Sequence, residues 1–496
     1  MAAPLDARVP PSLPFPFPDV LNFIDGEFRA AASSLTLDNA DPATGARAGT
    51  LPRSAAADVD AAAFPAWRDT PLAARAALLE RVADLLAAAA PALAALEAAD
   101  AGKTLAMAEA TDLPRAVANL RFFAGAARHD AAPGAFAMHD AISFATRAPL
   151  GVVALVTPWN LPLYLLTWKV APALVMGNTV IAKPSEVTPV TATALAAAFA
   201  AAGAPRGVFN LIHGAGADVG AALTTHRAVR AVSFTGGTAT GALVAAAAAP
   251  LYKKLSLELG GKNATMIFAD VPLADAVAAA LRAGFTNNGQ VCLCGSRVLV
   301  QAPLYAPFCA ALGAAVRALR VGAPLAAGTD VGPLSSAAHR DKVAAYIALG
   351  VAEGGELLAG GPGLPEGLPA ELRGGFFVRP TAFAGLDHAT SRVAREEIFG
   401  PVVTVHAFAD EKEAVALAND SRYGLSASVW ARDIDAALRT ARALDVGTVW
   451  VNTWLHRDLR VPFGGVKDSG TGREGGAHSL DFYTEWKTTC VKIGAP

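Results

Sequence analysis

At 496 residues the chain is too long for one compact core and calls for two or three domains. With 53% hydrophobic and 17% charged residues it packs as a globule, which excludes a disordered or low-complexity protein. The 41 basic residues against 43 acidic ones give a net charge of −2 with no basic stripe, so neither nucleic acid nor an anionic membrane surface is an expected partner.

The Pro-rich start, through Pro18, reads as a loose N-terminal arm over residues 1–18. It lacks a basic segment followed by an apolar core, so no signal peptide is expected and the protein is placed in the cytoplasm. Residues 60–128 read as helices, with apolar residues at helical spacing over Arg75 to Ala99 and over Asp112 to Arg128. The Ala-rich run from Leu85 to Ala99 is interrupted by Pro91 and Glu97 and is too short to cross a bilayer. An extended piece follows near Ala141 to Arg147.

From Gly151 apolar runs alternate with helices. The runs are Val152 to Val156, Thr179 to Ala182, Val208 to Ile212 and Ala231 to Phe234. The helices fall near Leu163 to Met176, Val190 to Ala202 and Ala217 to Thr224, with a last one ending about Ala249. Such units predict a parallel sheet covered by helices on both faces. Polar or Gly-rich clusters stand just past the strands: Thr157-Pro158-Trp159-Asn160, Lys183-Pro184-Ser185-Glu186, Gly214 to Gly216, and Thr235-Gly236-Gly237. Ligands of open α/β sheets bind beyond the carboxyl ends of the strands, so the chemistry is expected on that edge. After Glu258 a second α/β unit begins, with strands at Ala264 to Phe268, Val298 to Gln301 and Val402 to Ala407 and a helix at Ala274 to Ala283. The last stretch, Phe482 to Ile493, reads as an exposed strand in need of a partner.

Three residues could carry chemistry. Cys292 follows the turn-forming Asn287-Asn288-Gly289, which favours a tight bend presenting the thiol, the best side-chain nucleophile near neutral pH. The bland alternative is a buried, inert cysteine, the commonest state of a free thiol. Glu258 lies between leucines ahead of two glycines, either as a solvated strand-end carboxylate or as a desolvated base with a raised pKa. Asn160, after Pro158-Trp159, is either a turn residue or an amide donor to an oxyanion. Glu186 at a strand end could accept bonds from ribose hydroxyls and repel a 2′-phosphate, and the Gly-rich turn at Thr235 to Gly237 could admit a diphosphate at a helix N-terminus. The four cysteines, Cys292, Cys294, Cys309 and Cys490, lack the spacing of a zinc site, and no metal is expected.

Together these stretches resemble the aldehyde dehydrogenase superfamily. The match runs through Thr157 to Asn160, Lys183 to Glu186, Phe234-Thr235-Gly236, Leu257 to Lys262, Gly289 to Cys292 and Glu397-Ile398-Phe399-Gly400-Pro401. The resemblance implies a Rossmann-type NAD-binding domain (1–128 and 150–258), an α/β catalytic domain (259–470) and a small β oligomerisation arm (129–149 and 478–496). It implies Cys292 as nucleophile, Glu258 as general base, and Asn160 with the Cys292 N–H as oxyanion hole. Thr157, Trp159, Lys183, Ser185, Glu186, Gly214, Thr235, Gly236, Gly237, Glu397 and Phe399 are implied to hold NAD. The family often has Ser where Gly237 stands, which removes one hydroxyl contact to the diphosphate.

A narrower similarity, at Asp112 to Phe123, Trp454 to Gly465, Cys292-Leu293-Cys294 and Gly475 to Tyr483, is to the 2-hydroxymuconic and 2-aminomuconic semialdehyde dehydrogenases. That group implies a carboxylated aldehyde substrate held by Arg115 and Arg457, and a homodimer or homotetramer. Other dehydrogenase substrates, such as betaine aldehyde or an aliphatic aldehyde, and a non-catalytic NAD-binding protein on the same fold are the alternatives.

Overall fold

The computed structural model describes residues 19–59, 65–130 and 134–493; the arm over residues 1–18 lies outside the described residues. Two parallel-cored sheets form the bulk of the molecule. The first has eight strands in the order Glu27–Arg29, Asn22–Ile24, Phe209–Leu211, Thr179–Lys183, Val152–Val156, Val229–Thr235, Lys254–Glu258 and Gly470–Thr471. Its five central strands are parallel, and the outer pairings are antiparallel. Val153, Ala154 and Leu155 are fully buried, as expected of a central strand covered on both faces. The helices Pro162–Val175 and Val190–Ala201 are buried almost throughout and connect these strands.

Chain order reverses at the Val152–Val156 strand. The next two strands lie on one side of it, and Val229–Thr235 with Lys254–Glu258 lie on the other. A crevice therefore opens between the loop after Val156 and the loop after Thr235, at a topological switch point.

The second sheet has seven strands, in the order Glu356–Ala359, Thr381–Ala384, Val402–Phe408, Arg297–Gln301, Ala264–Ile267, Ser426–Trp430 and Thr448–Val451. All its pairings are parallel except the first. A third, antiparallel sheet pairs Thr484–Lys492 along its whole length with Ala141–Pro149, which in turn pairs with Phe136–Ala137.

Three features depart from the expectations. The helical stretch read over Arg75 to Ala99 is two helices, Leu72–Ala88 and Ala90–Ala101, bent by 77°. Pro91 stands in the first turn of the second helix, where it has no N–H to continue the first. The helix expected at Ala217 to Thr224 starts as a π-turn, Gly216–Gly220, before Ala221–Thr225. The hairpin Asn22–Ile24 and Glu27–Arg29 was not foreseen; it turns on Asp25 and Gly26, both left-handed (φ 52° and 78°). Among the described residues no single helix is long and apolar enough to cross a membrane.

Candidate active site

The crevice at the switch point is a cleft of about 1130 Å³. Thr157, Trp159, Asn160, Lys183, Ser185, Glu186, Thr235, Gly236, Gly237, Glu397 and Phe399 all line it, and so does Cys292. Gly214 does not. It packs against Ser54 and Val219, and Gly216, two residues on, lines the cleft in its place. The Gly-rich cluster thus meets the cleft through the start of its π-turn rather than through the end of the preceding strand.

Each wall has a local cause. The strand Thr179–Lys183 delivers the Lys183 ammonium into burial, where it donates to Glu186 Oε2 at 3.1 Å and to the Pro184 carbonyl at 3.0 Å. Burial lowers its pKa, opposed by the Glu186 charge. Gly237 caps the helix Thr238–Ala248, and the position a side chain would take there is open space. The helix N-terminus therefore presents bare backbone to the cleft. Glu397 accepts the Gly261 N–H at 2.9 Å, and burial raises its pKa. Phe399, left-handed at φ 63°, meets the Trp159 ring edge-on at 5.3 Å. His339 Nε2 donates to the Phe399 carbonyl at 2.7 Å, since a carbonyl only accepts, so that nitrogen carries the proton. His339 and Lys342, both lining the cleft, carry no local sequence pattern that would single them out.

Behind the cleft lies an inner cavity of about 610 Å³, lined by Tyr164, Trp168, Glu258, Cys292, Arg457 and Phe463 among others. Cys292 borders both spaces. Burial, with the Glu258 and Glu397 charges, pushes its thiol up to about 12, while Arg457 opposes the rise. Asn160 donates through Nδ2 to the Gln290 carbonyl at 2.8 Å, which leaves the second N–H of that amide free.

Glu258 is buried, and neither carboxylate oxygen has a hydrogen-bond partner. Burial and the neighbouring Glu474 hold its pKa well above the ordinary carboxylate value, against the pull of Lys169, Arg457 and Arg473. Glu474 itself is tied to the buried Lys169 Nζ at 2.6 Å, which also donates to Ser233 at 2.7 Å. Gly464 keeps space for the carboxylate: a Cβ there would stand 2.7 Å from Glu258 Oε1.

Of the two arginines, Arg457 stands on the wall of this cavity. The Arg457 guanidinium lies 3.7 Å from the Phe463 ring centre and 5.5 Å from that of Trp168. Arg115 does not line the cavity itself; it stacks behind, 5.5 Å from Tyr164 and 5.6 Å from Trp168. Its Nε and Nη2 are buried without a partner, and Nη1 donates to the Arg457 carbonyl at 3.4 Å. Among the described residues no carboxylate forms an ion pair with either guanidinium. Burial lowers the Arg115 pKa, and the Arg457 charge beside it adds to the effect.

The whole arrangement has relatives. The model of the "Aldehyde dehydrogenase family" matches residues 28–489. The chain is 44% identical to the 2-hydroxymuconic semialdehyde dehydrogenase of Pseudomonas sp. (strain CF600), over 96% of this chain and 100% of that one. It is also 44% identical to the 2-aminomuconic semialdehyde dehydrogenase of Danio rerio, over 95% of this chain and 98% of that one. The crystal structure of betaine aldehyde dehydrogenase from Staphylococcus aureus in complex with NAD+ superposes with a TM-score of 0.92 at 37% identity, covering 96% of this chain and 95% of that one. A thiol at the meeting point of two cavities, on a fold shared along its full length with these enzymes, places the chain in the aldehyde dehydrogenase family.

Proposed function

We propose that the protein oxidises a carboxylated aldehyde to the acid through a thioester on Cys292, with NAD as acceptor. The proposed substrates are 2-hydroxymuconate-6-semialdehyde or 2-aminomuconate-6-semialdehyde, in aromatic catabolism. The observation that carries the reading is the position of Cys292, bordering the open cleft on one side and the cavity with Glu258 and Arg457 on the other.

NAD fits the cleft on this chain's own features. The bare N-terminus of the Thr238–Ala248 helix suits a diphosphate, with backbone contacts serving where Gly237 has no hydroxyl. Lys183 and Glu186 suit the adenosine ribose, and a carboxylate there disfavours a 2′-phosphate. Glu397 and Phe399 suit the ribose at the other end. When bound, NAD accepts the hydride.

The residues then divide the work. The Cys292 thiol gives up its proton to water in the open cleft, the thiolate sulfur bonds to the aldehyde carbon, and the oxyanion that forms takes hydrogen bonds from the free Asn160 N–H and the Cys292 N–H. Departure of hydride leaves the thioester on Cys292. Glu258, unpartnered and with a raised pKa, takes a proton from water, and the resulting hydroxide displaces the thiolate to free the acid.

Two partly buried guanidiniums stand close together without a carboxylate partner, and Arg115 has two buried nitrogens unpartnered; an anion would offset that cost, which supports a substrate carboxylate beside them. Arg457→Ala is expected to raise KM for the carboxylated semialdehyde by roughly 10- to 100-fold, the worth of one charge-assisted hydrogen bond, and Arg115→Ala, whose charge acts from behind the cavity wall, by a smaller factor. KM for hexanal should stay within about threefold, since hexanal has no carboxylate to lose. Equal losses on both substrates would refute the clamp. Gly464→Ala is expected to lower kcat about tenfold by displacing the base, with NAD affinity unchanged by titration.

The domain division proposed is 1–128 with 150–258 for the cofactor, 259–470 for catalysis, and 129–149 with 478–496 as the arm. That arm exposes Phe136, Phe144, Trp486, Val491 and Ile493. The proposed partner is a second copy of the chain, giving a homodimer or homotetramer, which light scattering on the eluted protein would measure.

A further inference from the structure

The turn ahead of Cys292 is built against its own backbone preference. Asn287, Asn288 and Gly289 are left-handed in succession, with φ of 53°, 57° and 69°. L residues avoid runs in this region, and such a stretch persists only when its surroundings hold it. Gly289 leaves no choice, because a Cβ there would lie 2.1 Å from the Gly400 carbonyl oxygen.

The holding contacts are side-chain amides. Asn288 donates to the Gly102 and Pro333 carbonyls at 3.0 and 2.8 Å and accepts the Gly332 N–H at 2.8 Å, which welds the turn to two distant loops. Gln290 accepts the Ser335 N–H at 3.2 Å. Asn287 makes a different connection. Its Nδ2 donates both to the Asn160 carbonyl, at 3.1 Å, and to the Gln290 carbonyl, at 3.2 Å. The Gln290 carbonyl also accepts the Asn160 Nδ2 at 2.8 Å. One amide thus joins two segments 127 residues apart, the one carrying Asn160 and the one leading to Cys292.

We propose that Asn287 is a positioning residue that fixes the spacing between the Asn160 amide and the Cys292 N–H, the two donors to the oxyanion. The inference rests on the thioester reading. Asn287 is buried and lines neither cavity, so it touches neither substrate nor cofactor. It acts through its neighbours: without its bond, the Gln290 carbonyl keeps only the Asn160 amide as side-chain donor, and the two segments lose the link that sets their spacing. An oxyanion donor misplaced by a fraction of an ångström loses most of its effect in a dry site.

Two variants separate this role from backbone strain. Asn287→Gly keeps the left-handed turn and removes the amide. Asn287→Asp keeps the shape and sets an oxygen where Nδ2 faced two carbonyl oxygens. For each, three quantities are measured: kcat with the aldehyde, NAD affinity by fluorescence titration, and the rate of Cys292 alkylation by iodoacetamide. Alkylation attacks a saturated carbon and forms no oxyanion. The expected result is a kcat lower by about 10- to 100-fold in both variants. Alkylation and NAD affinity should stay within about threefold, since neither uses the oxyanion donors. The proposal is overturned if Asn287→Gly keeps kcat within about twofold of the parent, or if alkylation falls in step with kcat, which would report a collapsed loop rather than misplaced donors. The thioester reading fails separately, if the parent enzyme still turns over after complete alkylation of Cys292.

Discussion

Replacing Cys292 with alanine is expected to abolish aldehyde-dependent NAD reduction, with a loss of about 10⁴-fold or more in kcat, the scale seen when a covalent nucleophile is removed. NAD affinity should change little. The groups that suit the dinucleotide are Lys183, Glu186, the Gly237 helix end and Glu397, and none of them bonds to the Cys292 side chain. The substitution removes a half-buried sulfur, not a core side chain, so the fold should survive it. Stopped-flow absorbance at the reduced nicotinamide band, beside fluorescence titration with NAD, measures both quantities. Turnover retained in this variant would remove Cys292 from the nucleophile role. In the unliganded protein the thiol is held up to about 12, mainly by burial and the Glu258 charge, so the resting enzyme should alkylate slowly at neutral pH.

Glu258→Gln should have the second largest effect, about 10²- to 10⁴-fold on steady-state kcat, the usual worth of a general base. The two half-reactions should part company. A first turnover of NAD reduction should persist while hydrolysis stalls, and intact-protein mass spectrometry should find the acyl group on Cys292. An unmodified enzyme under turnover conditions would count against the assignment. The pH dependence carries a sign. The base works as the carboxylate, and burial with Glu474 raises its pKa, so the protonated, inactive form extends to higher pH than for an ordinary glutamate. Hydrolysis by the parent enzyme should therefore fall as pH is lowered, with a midpoint well above the usual carboxylate range. The glutamine variant should show no such limb.

What was legible in the sequence was what is local. The strand Val152–Val156 reads as an unbroken apolar run because both of its faces are covered, and the polar cluster after it marks the carboxyl edge. Cys292, Glu258 and Asn160 stood out because each sits in a short run of turn or glycine residues. The tight hairpin at Asp25-Gly26 has an equally local signal, the dipeptide that tolerates two left-handed residues. The bend at Pro91 was likewise visible as an interruption without its angle being so. Other parts were beyond reach for a physical reason. Lys169 and Glu474 meet across 305 residues, and each is an unremarkable charge in its own stretch. The choice of Gly216 over Gly214 depends on how a π-turn leaves its strand, which composition does not encode. The resemblance implies Arg115 and Arg457 as a pair, but only the folded chain places the first behind Tyr164 and Trp168 and the second on the cavity wall.

The short strand Gly470–Thr471 has a bearing on how such enzymes can be rebuilt. It comes late in the chain yet completes the edge of the first sheet, pairing Leu257 with Thr471 and Glu258 with Gly470, while the Leu259 N–H donates to the Ser469 carbonyl. Glu258, the proposed base, is thus clamped in register by a short strand from the opposite half of the polypeptide. A chimera spliced near residue 259 from two homologous parents would join a carboxylate from one to a clamp from the other. Grafting the segment around 463–474 together with the donor's front half is the splice that keeps both in one lineage.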